Sequence, residues 1–220
     1  LPVWGIPLSR VHLSKAKSSA GSLSTGIVMT HCDRRPPAVT EIDGTEVVTV
    51  ARTVVDLART EPRIPAIVTG DAALHLGLCT LDDLHTELHT AAGFPGYHAA
   101  RRAITQMTGL SESVLETRSR ILFVDTPDIP EPTLQLTVTD ADGTFLARGD
   151  FGGEDERVIG ECDGVGKYGT DPRRALLREK ARTDRLHEAG WRVVRWGWHD
   201  LDLPDRVLDR MRRMLRPRAA

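Results

Sequence analysis

Lysine is nearly absent from this chain. Lys15, Lys17, Lys167 and Lys180 are the only lysines among 220 residues, and nearly every other cation is arginine. The scarcity makes each lysine informative, because a guanidinium does not readily give up a proton and its broad fork does not replace a compact ammonium. Cysteine is also sparse. Cys32, Cys79 and Cys162 form no CxxC pair, which argues against a structural zinc site or a disulfide framework and makes a cytoplasmic location the expectation. No apolar run approaches the length of a membrane span and no secretory signal is visible, so no membrane partner is expected. The net charge of −2 gives no bulk attraction to nucleic acid, so any such site must be a local patch. The chain opens on Leu1 in mid-pattern, and a preceding natural segment is expected.

What remains is ordinary for a globular protein: 40% hydrophobic and 27% charged residues, in a length that suits one large domain or two small ones. The first half reads as short β-like runs at Val11–Leu13 and 26–30. A hairpin follows over 41–50, turning at Asp43-Gly44. Thr53 is placed to cap a helix through Val54, Val55, Leu57 and Ala58. Further helices are predicted near 65–76, after Thr80, and over 97–107. His85 and His89 stand one helical turn apart, but without an obvious third ligand they read as a solvated helix face.

The second half opens at Gly109. Ser111 is placed to cap a helix bearing Leu115, Ile121 and Leu122 at helical spacing, with Glu116 off the apolar stripe. Pro127, Pro130 and Pro132 form a connector in which Asp128 is a turn residue. Leu134, Leu136 and Val138 alternate as a strand, and Asp140–Gly143 turns into a second strand from Phe145. Gly152-Gly153 and Glu154-Asp155-Glu156 are read as the next turn, and Val158–Asp163 as a third strand. In that strand Glu161 and Asp163 share one face and Cys162 takes the other. Paired as a hairpin, the two strands bring Asp150, Glu161 and Asp163 towards one another. Carboxylates on a sheet are costly without a partner, and two partners compete. One is a divalent cation, magnesium being held by one or two carboxylates with waters and substrate phosphates. The other is an arginine such as Arg148, with Glu161 and Asp163 facing solvent. A helix over about 171–189 follows, with Leu176, Leu177 and Leu186 marking its buried side, then a closing strand over 192–196 and a basic helix over 204–215.

The order Glu116, Asp150, Glu161-Cys162-Asp163-Gly164, Lys167-Tyr168, Glu179-Lys180 and Gly190–Arg195 resembles the very-short-patch-repair-endonuclease-like domain of unknown function, of the PD-(D/E)xK or restriction-endonuclease-like superfamily. The resemblance spans roughly residues 110–200. It implies an α/β (α+β) fold with a restriction-endonuclease-like α-β-β-β-α-β core over 109–220 and divalent-metal phosphodiesterase ancestry. It departs at Asp163, where the superfamily places a lysine. Residues 1–108, through Ala51–Ala58 and Asp71–Leu74, resemble the C-terminal part of abortive-infection-type antitoxins, which implies a smaller mixed α/β domain and regulatory DNA binding.

On this footing Asp150 and Glu161 are expected to bind Mg2+ or Mn2+, with Asp163 as a further ligand or a supporting carboxylate. Glu116 would hold a metal-bound water. Lys180 or Lys167 would orient the nucleophile and stabilise developing charge. Arg174, Arg178, Arg182 and Arg185 on one helix form a candidate DNA-backbone patch, against which an intrahelical network with Glu179, Asp184 and Glu188 competes. Trp191, Trp196 and Trp198 are expected to pack between sheet and helix. Removing one acid should leave folding intact by relieving repulsion between carboxylates. The leading expectation is a divalent-metal-dependent, nuclease-like protein acting on DNA phosphodiesters. The alternative is a non-catalytic, DNA-binding or antitoxin-like transcriptional regulator that keeps the fold.

Overall fold

The structure, a computed structural model, describes residues 1–9, 11–16, 25, 28–33, 37–164 and 172–215. Lys17, Lys167 and Tyr168 lie outside the described residues. The chain divides into two compact units, Leu1–Gly109 and Leu110–Ala220.

In the first unit, β1 (Val11–Ala16) and β2 (Val28–Asp33) pair in parallel, and β3 (Val39–Ile42) and β4 (Thr45–Val48) form an antiparallel hairpin. Asp43 and Gly44 both have positive φ, 50° and 75°, as the tight turn anticipated at Asp-Gly requires. Four helices follow: α1 (Val50–Thr60), α2 (Arg63–His75), α3 (Leu81–Thr90) and α4 (Tyr97–Ile104). The cap of α1 is Thr49, one turn before the expected Thr53. Thr49 is extended and accepts from the Arg52 N–H, while Thr53 donates its hydroxyl to the Thr49 carbonyl from inside the helix. Thr80 caps α3 in a reciprocal box with Asp83. Val54, Val55, Ile67, Leu84 and Ile104 are fully buried between the helices. His85 and His89 are exposed on α3.

The second unit runs α5 (Val114–Val124), β5 (Thr133–Thr139), β6 (Phe145–Gly153), β7 (Val158–Asp163), α6 (Pro172–Glu188), β8 (Arg192–Gly197), α7 (Trp198–Leu201) and α8 (Pro204–Leu215). The sheet order is β5-β6-β7-β8. The first two pairings are antiparallel and the last is parallel, making the sheet mixed. Gly152 and Gly153 belong to β6, so Asp150 sits in the body of that strand and the turn is carried by 154–157.

The sheet buries a separate apolar cluster on each face, with the alternation of β5 and β6 broken at Gln135 and Asp150. On one, Phe151, Val158, Cys162, Val194 and Trp196 pack with Leu115 and Phe123 of α5 and Val207 and Met211 of α8. The rings of Phe123 and Trp196 meet edge-on at 5.5 Å, and the indole N–H of Trp196 donates to Ser119 Oγ at 2.7 Å. That donor would otherwise be buried unsatisfied at a cost of about 1–3 kcal/mol. Trp196 fulfils the packing role anticipated for it, and a Cβ on Gly160 would lie 2.6 Å from its ring. On the other face, Leu136, Ala147 and Ile159 pack with Leu186 of α6. The expected burial of Leu176 and Leu177 does not hold: each is 60% exposed. Beside Leu176 the sheet presents Asp150, Glu161 and Arg195 along with Phe145 and Ala147, so a leucine there finds little apolar surface to bury against.

β8 is an edge strand. The carbonyl of Arg195 on it accepts from Arg210 of α8 at 2.9 Å, and Arg210 is braced by Asp200 at 2.8 Å. Among the described residues, no helix is long and apolar enough to cross a membrane.

Candidate functional site

The α6 face of the sheet gathers acids and arginines, and strand register explains why. The parallel pairing of β7 with β8 sets Glu161 beside Arg195. The antiparallel pairing of β6 with β7 runs Phe151 with Gly160, Gly152 with Ile159 and Gly153 with Val158. Extended by one residue, that register puts Asp150 opposite Glu161, but the ladder stops first. The β5–β6 ladder pairs Leu134 with Phe151 and Leu136 with Gly149, passing over Gln135 and Asp150. Gln135 has a φ of 52°, a left-handed backbone uncommon outside glycine. Asp150 is therefore passed over by the β5–β6 ladder and lies one residue beyond the end of the β6–β7 ladder. Its Oδ2 accepts the Cys162 N–H at 2.7 Å, replacing a ladder bond with a side-chain one. Interruptions of this kind concentrate at functional sites.

A cavity of about 630 Å3 opens on this face, lined by Asp150, Glu161, Asp163, Glu179, Arg182 and Arg195 among others. Phe145 and Leu176, both mostly exposed, add apolar surface to it. A second cavity, of about 300 Å3, has Phe151, Val158 and Met211 in its walls with acids beside them. Among the described residues no arginine or lysine lines it.

Glu161 is the centre of the larger site and is only 7% exposed. Its Oε2 accepts from Arg195 Nε at 2.8 Å. Its Oε1 lies 2.6 Å from Arg182 Nη2, an ion pair by distance but without the angle of a good hydrogen bond. Arg182 also grips Glu179 with Nε and Nη2, at 2.9 and 2.6 Å. Arg195 Nη2 reaches Glu179 Oε1 and Thr183 Oγ1. Two acids and two arginines thus form a closed network in which each guanidinium touches both carboxylates. Hydrogen bonding to Glu179, with the pull of Glu161, outweighs burial and raises the Arg182 pKa. Burial would raise Glu179, but the Arg182 hydrogen bond and the charges of Arg182 and Arg195 outweigh it and hold the carboxyl below its usual range.

The other expected site residues are placed as follows. Asp163 lines the cavity and is exposed at the end of β7. Glu116 is 8% exposed and serves the start of α5. Ser113, not the expected Ser111, is the cap: its Oγ accepts the Glu116 N–H and its hydroxyl donates to Glu116 Oε1. Glu116 Oε2 accepts from Glu112 N–H and from Gln135 Nε2. Burial pushes the Glu116 carboxyl up, partly offset by the Glu112 and Ser113 hydrogen bonds, and the charges of Asp150 and Glu112 add to the rise. Lys180 is exposed and does not line the cavity. On α6, Ala175, Leu176, Glu179 and Arg182 share the cavity-facing side, and Lys180 is turned about 100° from Glu179 by the helical repeat. Arg174, Arg178 and Arg185 are exposed on α6, while Arg182 is drawn into the acid network. Gln135, Glu179 and Arg195 were not singled out from the sequence as site residues. The signal for Arg195 was there in principle, since Val193 and Arg195 share one strand face.

Hard divalent ions take oxygen ligands. Asp150, Glu161 and Asp163 supply carboxylate oxygens to one cavity, with Glu161 Oε1 also standing 2.6 Å from Arg182 Nη2. The donor chemistry therefore fits a divalent ion. The cluster is not assembled, however: among the described residues no group of three or more His, Cys, Asp or Glu side chains stands ready to hold a metal.

The chain is thus a two-unit mixed α/β protein with an acid–arginine cavity on one face of its larger sheet. It is 31% identical over 144 residues to uncharacterized protein Rv2248 of Mycobacterium tuberculosis (strain ATCC 25618 / H37Rv) and, to the same extent, to uncharacterized protein MT2308 of strain CDC 1551 / Oshkosh. The match covers 66% of this chain and 52% of each relative, so the chain spans about half the length of the curated relatives it matches. No family model matches the chain, and no solved structure matches it significantly.

Proposed function

We propose that the second unit is a restriction-endonuclease-like domain that acts on DNA phosphodiesters at the acid–arginine cavity. The observation that carries this reading is the placement of Asp150. It is passed over by the β5–β6 ladder, lies one residue past the end of the β6–β7 ladder where the register continued would face Glu161, and opens with Glu161 and Asp163 into one cavity. Asp150, Glu161 and Asp163 would hold Mg2+ or Mn2+. When bound, such an ion supplies Lewis acidity at the phosphoryl oxygen and an acidified water. Arg182 and Arg195 offer charge to the phosphate, and Arg174, Arg178 and Arg185 extend a positive face along α6 for the backbone. Lys167 stays the lysine candidate for orienting the nucleophile. Glu116 acts by bracing the Ser113 turn at the start of α5 and through its charge near Asp150.

The test is cleavage of plasmid and single-stranded DNA with each metal, beside Asp150→Asn and Glu161→Gln. Cleavage by the wild-type chain that both variants lack supports the reading. Activity that persists in both places the chemistry elsewhere.

A second reading is a non-catalytic DNA-binding regulator, with the first unit as an antitoxin-like region. It is favoured by the neutralisation of Glu161 by two arginines and by the exposed position of Lys180. The residues that carry the antitoxin resemblance, 51–58 and 71–74, lie on α1 and α2. DNA binding without cleavage under any metal, weakened by Arg174→Gln and Arg178→Gln and falling steeply with salt, selects this reading.

A further inference from the structure

Glu161 poses a conflict: it is the deepest acid lining the cavity, yet arginines already satisfy it. Resting on the phosphodiesterase reading above, we propose that Arg182 and Arg195 form a phosphate-operated latch on Glu161. They hold this carboxylate while no phosphodiester is bound, and release it to a divalent cation when a phosphodiester takes their donors.

The donor inventory supports this. Arg195 uses Nε on Glu161 and Nη2 on Glu179 and Thr183. Arg182 uses Nε and Nη2 on Glu179, with Nη2 also beside Glu161. In both, Nη1 has no protein partner among the described residues, and both side chains line the cavity. Each guanidinium therefore keeps an unused pair of N–H donors for an oxyanion, and the planar fork suits phosphate. The two acids differ in how they answer such a pull. The Glu179 side chain is 44% exposed and can turn to water, whereas that of Glu161 is 9% exposed and cannot.

Each ligand alone meets an obstacle. A cation alone approaches a carboxylate whose oxygens stand 2.6 and 2.8 Å from guanidinium nitrogens, and those charges repel it. A phosphodiester alone draws the arginines away and leaves Glu161 buried without a counter-charge, which is costly. Together, the cation replaces the arginines on Glu161 as the arginines turn to the phosphate. The coupling is positive and, by linkage, reciprocal.

The experiment measures Mn2+ binding to the full chain by calorimetry, with Mn2+ alone and with a saturating short duplex of phosphorothioate linkages, subtracting Mn2+ binding to the duplex itself. The duplex should tighten Mn2+ binding to the wild-type chain about tenfold. Arg195→Gln should bind Mn2+ without duplex about tenfold more tightly than the wild type, and its response to the duplex should fall below about twofold. Arg182→Gln repeats the test independently, and tryptophan emission confirms that each variant is folded. A purely structural role for the arginines would change stability but leave the coupling intact. Wild-type Mn2+ binding that ignores the duplex, or folded variants that keep the wild-type coupling, overturns the latch alone. Duplex binding with no Mn2+ binding in either state overturns both the latch and metal-dependent cleavage.

Discussion

Glu161→Gln is the sharpest test of the acid–arginine network, because two accounts predict opposite signs. If Glu161 mainly repels Asp150 and Asp163, removing its charge leaves folding intact or strengthens it. If it mainly anchors Arg182 and Arg195, the substitution unpairs two guanidiniums and presents an amide N–H2 to them. Breaking a buried ion pair by removing one partner costs about 3–5 kcal/mol. Here the Arg182 and Arg195 side chains keep 23% and 33% exposure and both retain Glu179. Solvent screening and that residual partner reduce the expected loss to about 2 kcal/mol. Urea unfolding followed by tryptophan emission, from Trp191, Trp196 and Trp198 of the second unit with Trp4 of the first replaced by phenylalanine in both proteins, reads the difference. Because Glu161 is buried, much of the loss should survive in 1 M salt, where the Debye length is about 3 Å. A change smaller than about 0.5 kcal/mol, the range of an uninvolved surface substitution, or any gain in stability, refutes the anchoring argument.

Gly160→Ala should destabilise the second unit by about 1–3 kcal/mol, because its Cβ would lie 2.6 Å from the Trp196 ring and 3.2 Å from Phe151 Cβ; an unchanged urea midpoint counts against so tight a packing. Ser113→Ala should cost about 1 kcal/mol through loss of the α5 cap, and a neutral result would mean that Glu116 orders this turn unaided. For Glu116, the raised carboxyl pKa means that the folded state holds its proton more tightly than the unfolded state. Its contribution is fully present below the ordinary glutamate range and is lost as pH rises through its own higher value. The wild type should therefore lose stability relative to Glu116→Gln in urea melts as pH rises from the ordinary glutamate range; a difference that does not change with pH contradicts the upward shift.

Much of the second unit was legible because periodicity and turn chemistry agree there. The alternation through Leu134–Val138 and 145–151, the turn at Asp140–Gly143 and the helical run of α5 each specify an element locally. The site was legible only in part. That Glu161 and Asp163 share a face follows from a two-residue period, and both line the cavity. What fills the space opposite Glu161 depends on the parallel partner β8 and on the rotation of α6, neither of which is encoded near Glu161. Arginine on the facing strand therefore escaped notice, and Lys180 drew attention through rarity rather than direction. The same limit explains Leu176 and Leu177. Their spacing is that of a buried stripe, but the sheet beneath them is charged. The cap at Thr80 was read correctly, whereas those of α1 and α5 were misplaced by four and two residues, since more than one threonine or serine precedes those apolar runs and only backbone conformation selects among them.

The bond from Arg210 to the carbonyl of Arg195 bears on solubility. An edge strand is an open template for another chain, and β8, with Val193, Val194 and Trp196, has the apolar composition that aggregates when paired edge to edge. Arg210 occupies an acceptor on that strand with a charged side chain, and a recruited strand would have to displace it and break its ion pair with Asp200. The guard stands at the very residue whose guanidinium holds Glu161. Fixing the Arg195 carbonyl on one side of the backbone also steadies the direction in which its side chain leaves the strand, so protection against self-association and the geometry of the acid network are secured by the same contact.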